Sequence, residues 1–277
     1  MAGWLWTATD DARSRSGGSP MPDGYADAAA RAYAAARTLL GDFAHTVDLG
    51  TAVLPGTVTT DPQWLAGRVS DTGRRWDCSD PRVNGTLWWY SASSTLVAGP
   101  VAMLLATGHA PDPDPARLRC VLREDGYLGA VRSSRLLPGR DAFARALVPA
   151  LSAIIAPLAR VSGAPARALW AVASDSIANR ALDAGRAAHR VDDGCTLAAA
   201  LSRPPLLPPR FVDVDPTGSV TAAAPGSPEP ADGRRFVRRS SCCLIYRATD
   251  SGKCTSCPRR SPADRAAALG RYVAAQE

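Results

Sequence analysis

Residues 238–258 read RRSSCCLIYRATDSGKCTSCP. They hold four of the seven cysteines in the chain within 16 residues: the adjacent pair Cys242-Cys243, ten intervening residues, then Cys254-x-x-Cys257. A Cys-x-x-Cys pair brings two sulfurs to one side of a tight turn whose backbone N–H groups stabilise thiolate charge. Gly252 eases the approach of backbone to an inorganic centre, and Pro258 fixes the exit direction. The adjacent pair is more unusual. Neighbouring side chains of a regular strand point to opposite faces, so the backbone must bend at 242–243 for both sulfurs to serve one centre. A single zinc ion prefers two knuckles with spaced ligands, whereas a two-iron cluster is wider and accommodates an adjacent pair better. Structural zinc, a disulfide and unrelated buried thiols are the competing readings.

Charge concentrates on the same stretch. Residues 234–260 carry eight basic residues (Arg234, Arg235, Arg238, Arg239, Arg247, Lys253, Arg259, Arg260) and one acid, Asp250, in a chain whose net charge is only +6. Such a surround suits a polyanionic cluster and an acidic electron-donating partner. There is little aromatic interleaving and no nucleic-acid motif, so no nucleic-acid partner is expected. No P-loop, GxGxxG or GxSxG stretch suggests a bound nucleotide, flavin or acyl-enzyme. An odd number of cysteines dispersed over 277 residues argues against a secreted disulfide scaffold. The N-terminus lacks the basic start, apolar core and cleavage site of a signal peptide. The most apolar run, Ala146 to Ala159, falls short of the ~20 residues that span a bilayer. A cytoplasmic protein without stable membrane insertion is expected.

Upstream, start and stop signals outline helices. Asp23 caps a helix ending at Gly41. Asp61-Pro62 and Asp80-Pro81 pair a capping carboxylate with proline in the first turn. The helix after Asp80 carries Leu87, Trp88, Trp89 and Tyr90, covers most of its circumference with aromatics, and should kink or stop at Gly99-Pro100. At least one of the three aromatics should face away from the core. A hairpin is predicted from Arg117 to Val131 around Glu124-Asp125-Gly126. Asp141 and Ala164-Pro165 open two wide-faced core helices, Phe211 to Val214 is a short strand, and Arg235 to Tyr246 reads as a strand leading into the cysteines. Ser261-Pro262 starts a last helix ending near Val273. The fold class is α+β: a predominantly helical body with a small hairpin or sheet and a C-terminal metal-binding segment. The expected divisions are a flexible N-terminus (1–22), the helical body (23–214), a Pro/Gly-rich linker or loop (215–233) and the cysteine segment (234–277).

The pattern Arg239-x-x-Cys242-Cys243-Leu244-x-Tyr246-Arg247, then Cys254-x-x-Cys257-Pro258, resembles the C-terminus of the ferric-siderophore reductases, the FhuF-like family. The likeness is close over about 25 residues and loose upstream. It implies a [2Fe–2S] cluster held by Cys242, Cys243, Cys254 and Cys257, with no separate catalytic acid, base or nucleophile. It also implies one-electron reduction of a ferric siderophore bound by the helical body, in the cytosol, with electrons from a small redox protein such as a ferredoxin. The alternative is a non-enzymatic siderophore-binding or assembly factor whose four clustered cysteines hold structural zinc. Cys78, Cys120 and Cys195 read as small buried apolar residues, and His45, His109 and His189 as surface or capping residues.

Overall fold

Two aspartates set where the central helices begin. In the computed structural model, which describes residues 30–36, 38, 53–133, 135–250 and 252–276, each accepts a hydrogen bond from the backbone two residues on. Asp61 Oδ1 takes the Gln63 N–H at 2.9 Å and Asp80 Oδ1 the Arg82 N–H at 2.9 Å. The expected 1–22 segment lies outside the described residues, as do both ends of the helix expected from Asp23 to Gly41; residues 30–36 are helical (α1). Strand β1 (Val53–Pro55) and a 3-10 turn lead to α2 (Pro62–Trp76) and α3 (Pro81–Thr107).

Helix α3 corrects one expectation. It does not stop at Gly99-Pro100 but runs on to Thr107 and ends at Gly108, whose φ is 71°. An interior proline costs about 3 kcal/mol. Val97, Val101, Met103 and Leu104 on either side are all buried, and each such side chain contributes about 1.5–3 kcal/mol. Burial therefore outweighs the missing hydrogen bond.

Strand β2 (His109–Pro111) pairs with β5 (Leu136–Pro138), and β3 (Leu118–Leu122) with β4 (Leu128–Ser133) and β1, all antiparallel. The predicted turn closes through Gly126, φ 82°. Helices α4 (Gly139–Ser162), α5 (Ala166–Ala187) and α6 (Val191–Leu201) complete the helical body. Trp89 Nε1 donates to the Leu169 carbonyl at 2.8 Å, and the Ser93 and Ser176 hydroxyls meet at 2.8 Å, which fixes α3 against α5.

Length does not keep α3 and α4 out of a bilayer, contrary to the sequence argument: both are long and apolar enough to span one. Burial gives the other account of their apolarity, since 61% and 50% of their most apolar windows lie inside the fold.

Beyond the body, β6 (Phe211–Val214) sits between β7 (Val220–Ala223) and β8 (Arg234–Val237). The stretch 215–233, expected as linker or loop, thus supplies a strand to a sheet shared with the cysteine segment. Arg235, fully buried on β8, holds this loop down: its guanidinium donates to both Asp213 oxygens at 2.8 and 2.9 Å, to the Ser227 carbonyl and hydroxyl, and to the Pro228 carbonyl. Helix α7 (Pro262–Ala274), capped by Ser261, packs Leu269 and Val273 under β6.

Close approach of α5 and α6 depends on two glycines, Gly185 and Gly194. A Cβ on Gly194 would stand 2.3 Å from the Ala181 carbonyl oxygen, whereas one on Gly67 of α2 would meet nothing within 4 Å. Gly194→Ala should therefore destabilise the fold by about 2 kcal/mol, and Gly67→Ala should stabilise it by about 0.5–1 kcal/mol. Chemical denaturation of the two variants checks the opposite signs.

Candidate metal centre

The strand expected from Arg235 to Tyr246 ends at Val237. Beyond it, residues 240–241 are held by a side chain instead of a neighbouring strand. Asp175, in the middle of α5 and 4% exposed, accepts the Ser240 N–H at 2.9 and 3.0 Å, the Ser241 N–H at 2.7 Å and the Ser241 hydroxyl at 2.6 Å. A carboxylate can take about four such bonds, so its capacity is used on this short stretch. The chain then turns sharply: Leu244, a non-glycine residue, sits in the left-handed region at φ 65°. This is the bend that an adjacent cysteine pair needs, and it costs about 1–2 kcal/mol. Cys243, Leu244, Ile245 and Ala248 pack with Val83 and Leu87 of α3, and with Trp76 and Cys78. Arg247 adds an ion pair at 3.5 Å with Asp80, the carboxylate that caps α3.

The second pair is set by a turn. The Cys257 N–H donates to the Cys254 carbonyl at 3.1 Å, and Gly252 at φ 76° precedes it. The four sulfurs then form a continuous run in the order Cys257, Cys242, Cys243, Cys254. Cys242 and Cys257 sulfurs lie 3.7 Å apart, and Cys243 is in hydrogen-bonding contact with both Cys242 and Cys254. All seven cysteines are free thiols, so the structure contains none of the disulfides considered. Donation from Cys242 and Cys254 drives the Cys243 thiol down to about 2, against the upward push of burial. Each donor is itself pushed up, first by that same bond to Cys243 and then by burial. Thiols that share protons in this way cannot all ionise unless cationic charge enters between them, and thiolates are the soft ligands that select iron–sulfur clusters, zinc or copper(I). Among the described residues no three or more His, Cys, Asp or Glu side chains converge as the ligands of one metal ion would; the four sulfurs lie in a run, an arrangement that suits a wider two-iron group better than a single ion.

A buried cation adds a second observation. Arg239, 6% exposed, lies with its guanidinium carbon 5.0 Å from the centre of the Tyr90 ring, and its Nη1 points at the Cys254 sulfur at 3.6 Å. Its Nε and Nη2 are buried with no hydrogen-bond partner; Asp175, already committed to Ser240 and Ser241, stands 3.7 Å from Nε. Burial opposes the Arg239 charge, but Tyr90, Cys243, Cys254 and Asp175 outweigh it and leave the guanidinium more firmly protonated than usual. Unsatisfied donors beside four sulfurs fit a polyanionic cluster held by those sulfurs.

The comparisons agree. Residues 239–259 match the FhuF 2Fe-2S C-terminal domain. The chain therefore carries a FhuF-type [2Fe–2S] domain. No curated protein matches the chain. The matched span begins at Arg239 and contains all four cysteines, so the FhuF-type domain and the geometric site are the same stretch.

The other expected residues separate. Trp88 and Trp89 are fully buried, while Tyr90 is 39% exposed and is the aromatic that faces outward. Cys120 and Cys195 are buried in the main core, where desolvation pushes the Cys120 thiol up to about 12. Cys78, expected to be buried, is only half-buried, and it is not dispersed but packs against the small apolar cluster that contains Cys243. His45 lies outside the described residues, and the His109 ring bonds the Thr107 carbonyl oxygen at 3.0 Å. Not all of the basic excess faces the cysteines: Arg235 is spent on Asp213, and Arg234 stacks on Tyr272 of α7. Sequence reasoning missed Asp175. The available signal was a lone carboxylate among apolar residues in a core helix, which is buried only when it is paired.

Asp175→Asn replaces one acceptor oxygen with donors that face other donors. It should cost about 3 kcal/mol and lower iron and sulfide per chain several-fold, with helical circular dichroism unchanged. Full cluster content and an unchanged melting temperature would contradict the anchoring role.

Proposed function

We propose that the protein is a cytosolic ferric-siderophore reductase whose cluster is held by Cys242, Cys243, Cys254 and Cys257. The observation that carries this reading is the continuous run of four sulfurs, fixed to the helical body by Asp175 and lying beside the outward-facing Tyr90. When bound, a [2Fe–2S] group takes up and gives out one electron at a time.

The protein residues supply the rest. Cys242 and Cys254 are half-buried, which keeps the redox centre close to the surface and shortens the distance to a docked chelate. Lys253, adjacent to Cys254, and Arg259, two residues after Cys257, are exposed and offer a cationic face to an acidic electron-donating protein of the ferredoxin type. Cys257 is buried, and Cys243 is buried among apolar side chains, which keeps water from the inner side of the site.

The substrate chemistry needs no proton transfer by the protein. Hydroxamate, catecholate and carboxylate oxygens are hard donors that hold Fe(III) far more tightly than Fe(II). One electron added to the chelate yields labile Fe(II) and leaves the siderophore intact. Seven unpaired thiols suit a reducing compartment such as the cytosol.

The test is anaerobic mixing of dithionite-reduced, desalted protein with ferric hydroxamate, catecholate and carboxylate siderophores. At least one should restore the oxidised visible spectrum with matching appearance of Fe(II) in a ferrous-specific chelator. Re-oxidation by none of the three would sink the reductase reading. Cys254→Ser should abolish both the chromophore and iron release.

A further inference from the structure

Arg239 is a buried cation without a full set of partners, and its surroundings specify what is missing. Other cations of the segment are occupied elsewhere: Arg235 with Asp213, Arg247 with Asp80, Lys253 with the Arg259 carbonyl and Arg260 with the Cys254 carbonyl. Among the described residues, Arg239 is the one cation whose side chain donates to any of the four clustered cysteine sulfurs. The Tyr90 ring covers one face of the guanidinium and holds its plane. Nη1 reaches the Cys254 sulfur, while the buried Nε and Nη2 have no hydrogen-bond partner. Leaving a buried guanidinium in this state is unfavourable unless an anion answers it. Asp175 answers only in part, at 3.7 Å and with its oxygens already engaged.

We propose that Arg239, clamped between Tyr90 and Cys254, is the positioning residue that sets the reduction potential of this site. The inference rests on the cluster assignment above but not on the identity of the substrate. A one-electron reduction adds one negative charge to a group that is already anionic, so a fixed cation beside it stabilises the reduced form more than the oxidised form. Hydrogen bonds to ligand sulfurs act in the same direction. The arginine stays charged across the accessible pH range, so the effect is constant and not a switch. Because the side chain is only 4% exposed, the effect should survive high salt, unlike that of a surface charge.

The experiment is a spectroelectrochemical titration of the holoprotein, with iron and sulfide measured on each sample. Arg239→Gln should lower the midpoint potential, shifting the reduced-to-oxidised ratio at fixed potential at least tenfold, about 59 mV for one electron. Arg239→Lys keeps a charge but loses the planar fork, and should fall between Gln and wild type. Exposed Arg259→Gln is the control: its shift should be smaller and should vanish in high salt. If Arg239→Gln holds no iron, Arg239→Lys decides, with a midpoint below wild type supporting the proposal and an unchanged one overturning it. A loaded Arg239→Gln protein with the wild-type midpoint also overturns it. A wild-type protein that contains no iron or sulfide would instead sink the cluster assignment itself, so the two failures are distinguishable.

Discussion

The buried carboxylate of Asp175 is the constraint on which the metal centre depends. One side chain in the middle of a core helix takes the backbone of Ser240 and Ser241 and so decides where Cys242 and Cys243 begin. Without it the segment after β8 has no strand partner and no hydrogen-bonding ladder to hold it. The helix offering Asp175 is fixed to α3 by the Ser93–Ser176 hydroxyl pair and the Trp89–Leu169 bond. Rigidity is thus passed from the apolar core to the sulfurs through a few polar contacts. A buried carboxylate is tolerable here because its acceptor sites are filled.

The same carboxylate sits within 4 Å of Arg239, which in turn touches Cys254 and Tyr90. Anchor, cation, sulfur and outward-facing aromatic therefore form one connected chain of contacts from the α5 core to the surface of α3. Two functions meet in that chain. Asp175 positions the backbone, and Arg239 sets a buried positive charge beside the sulfurs. The bend at Leu244, which is locally unfavourable, is kept by the packing of Cys243, Leu244 and Ile245 on Val83 and Leu87.

Much of this was legible in the order of residues. Asp-Pro starts at 61 and 80, the hairpin at Gly126, the strand at Phe211 and the Ser261 cap all rest on local chemistry, and local chemistry is what a sequence displays. Pro100 misled because its cost is local whereas the burial that offsets it comes from neighbours distant in the chain. The segment 238–246 misled for the opposite reason: Asp175, 65 residues away from Ser240, claims the N–H groups of Ser240 and Ser241 that a strand partner would need. The cysteine spacing pointed to the stretch that matches the FhuF 2Fe-2S C-terminal domain. It could not reveal that Asp175 holds the site or that Cys78 packs against it, because neither position carries a pattern until the chain is folded.

The central claim is that these four sulfurs, held by Asp175 and answered by Arg239, are the ligands of a [2Fe–2S] cluster. The most direct measurement is metal and acid-labile sulfide analysis of the anaerobically purified full chain, with EPR after reduction. The account predicts two irons and two sulfides per chain and an EPR signal from a single unpaired electron in the reduced state. Stoichiometric zinc with neither iron nor sulfide would contradict it.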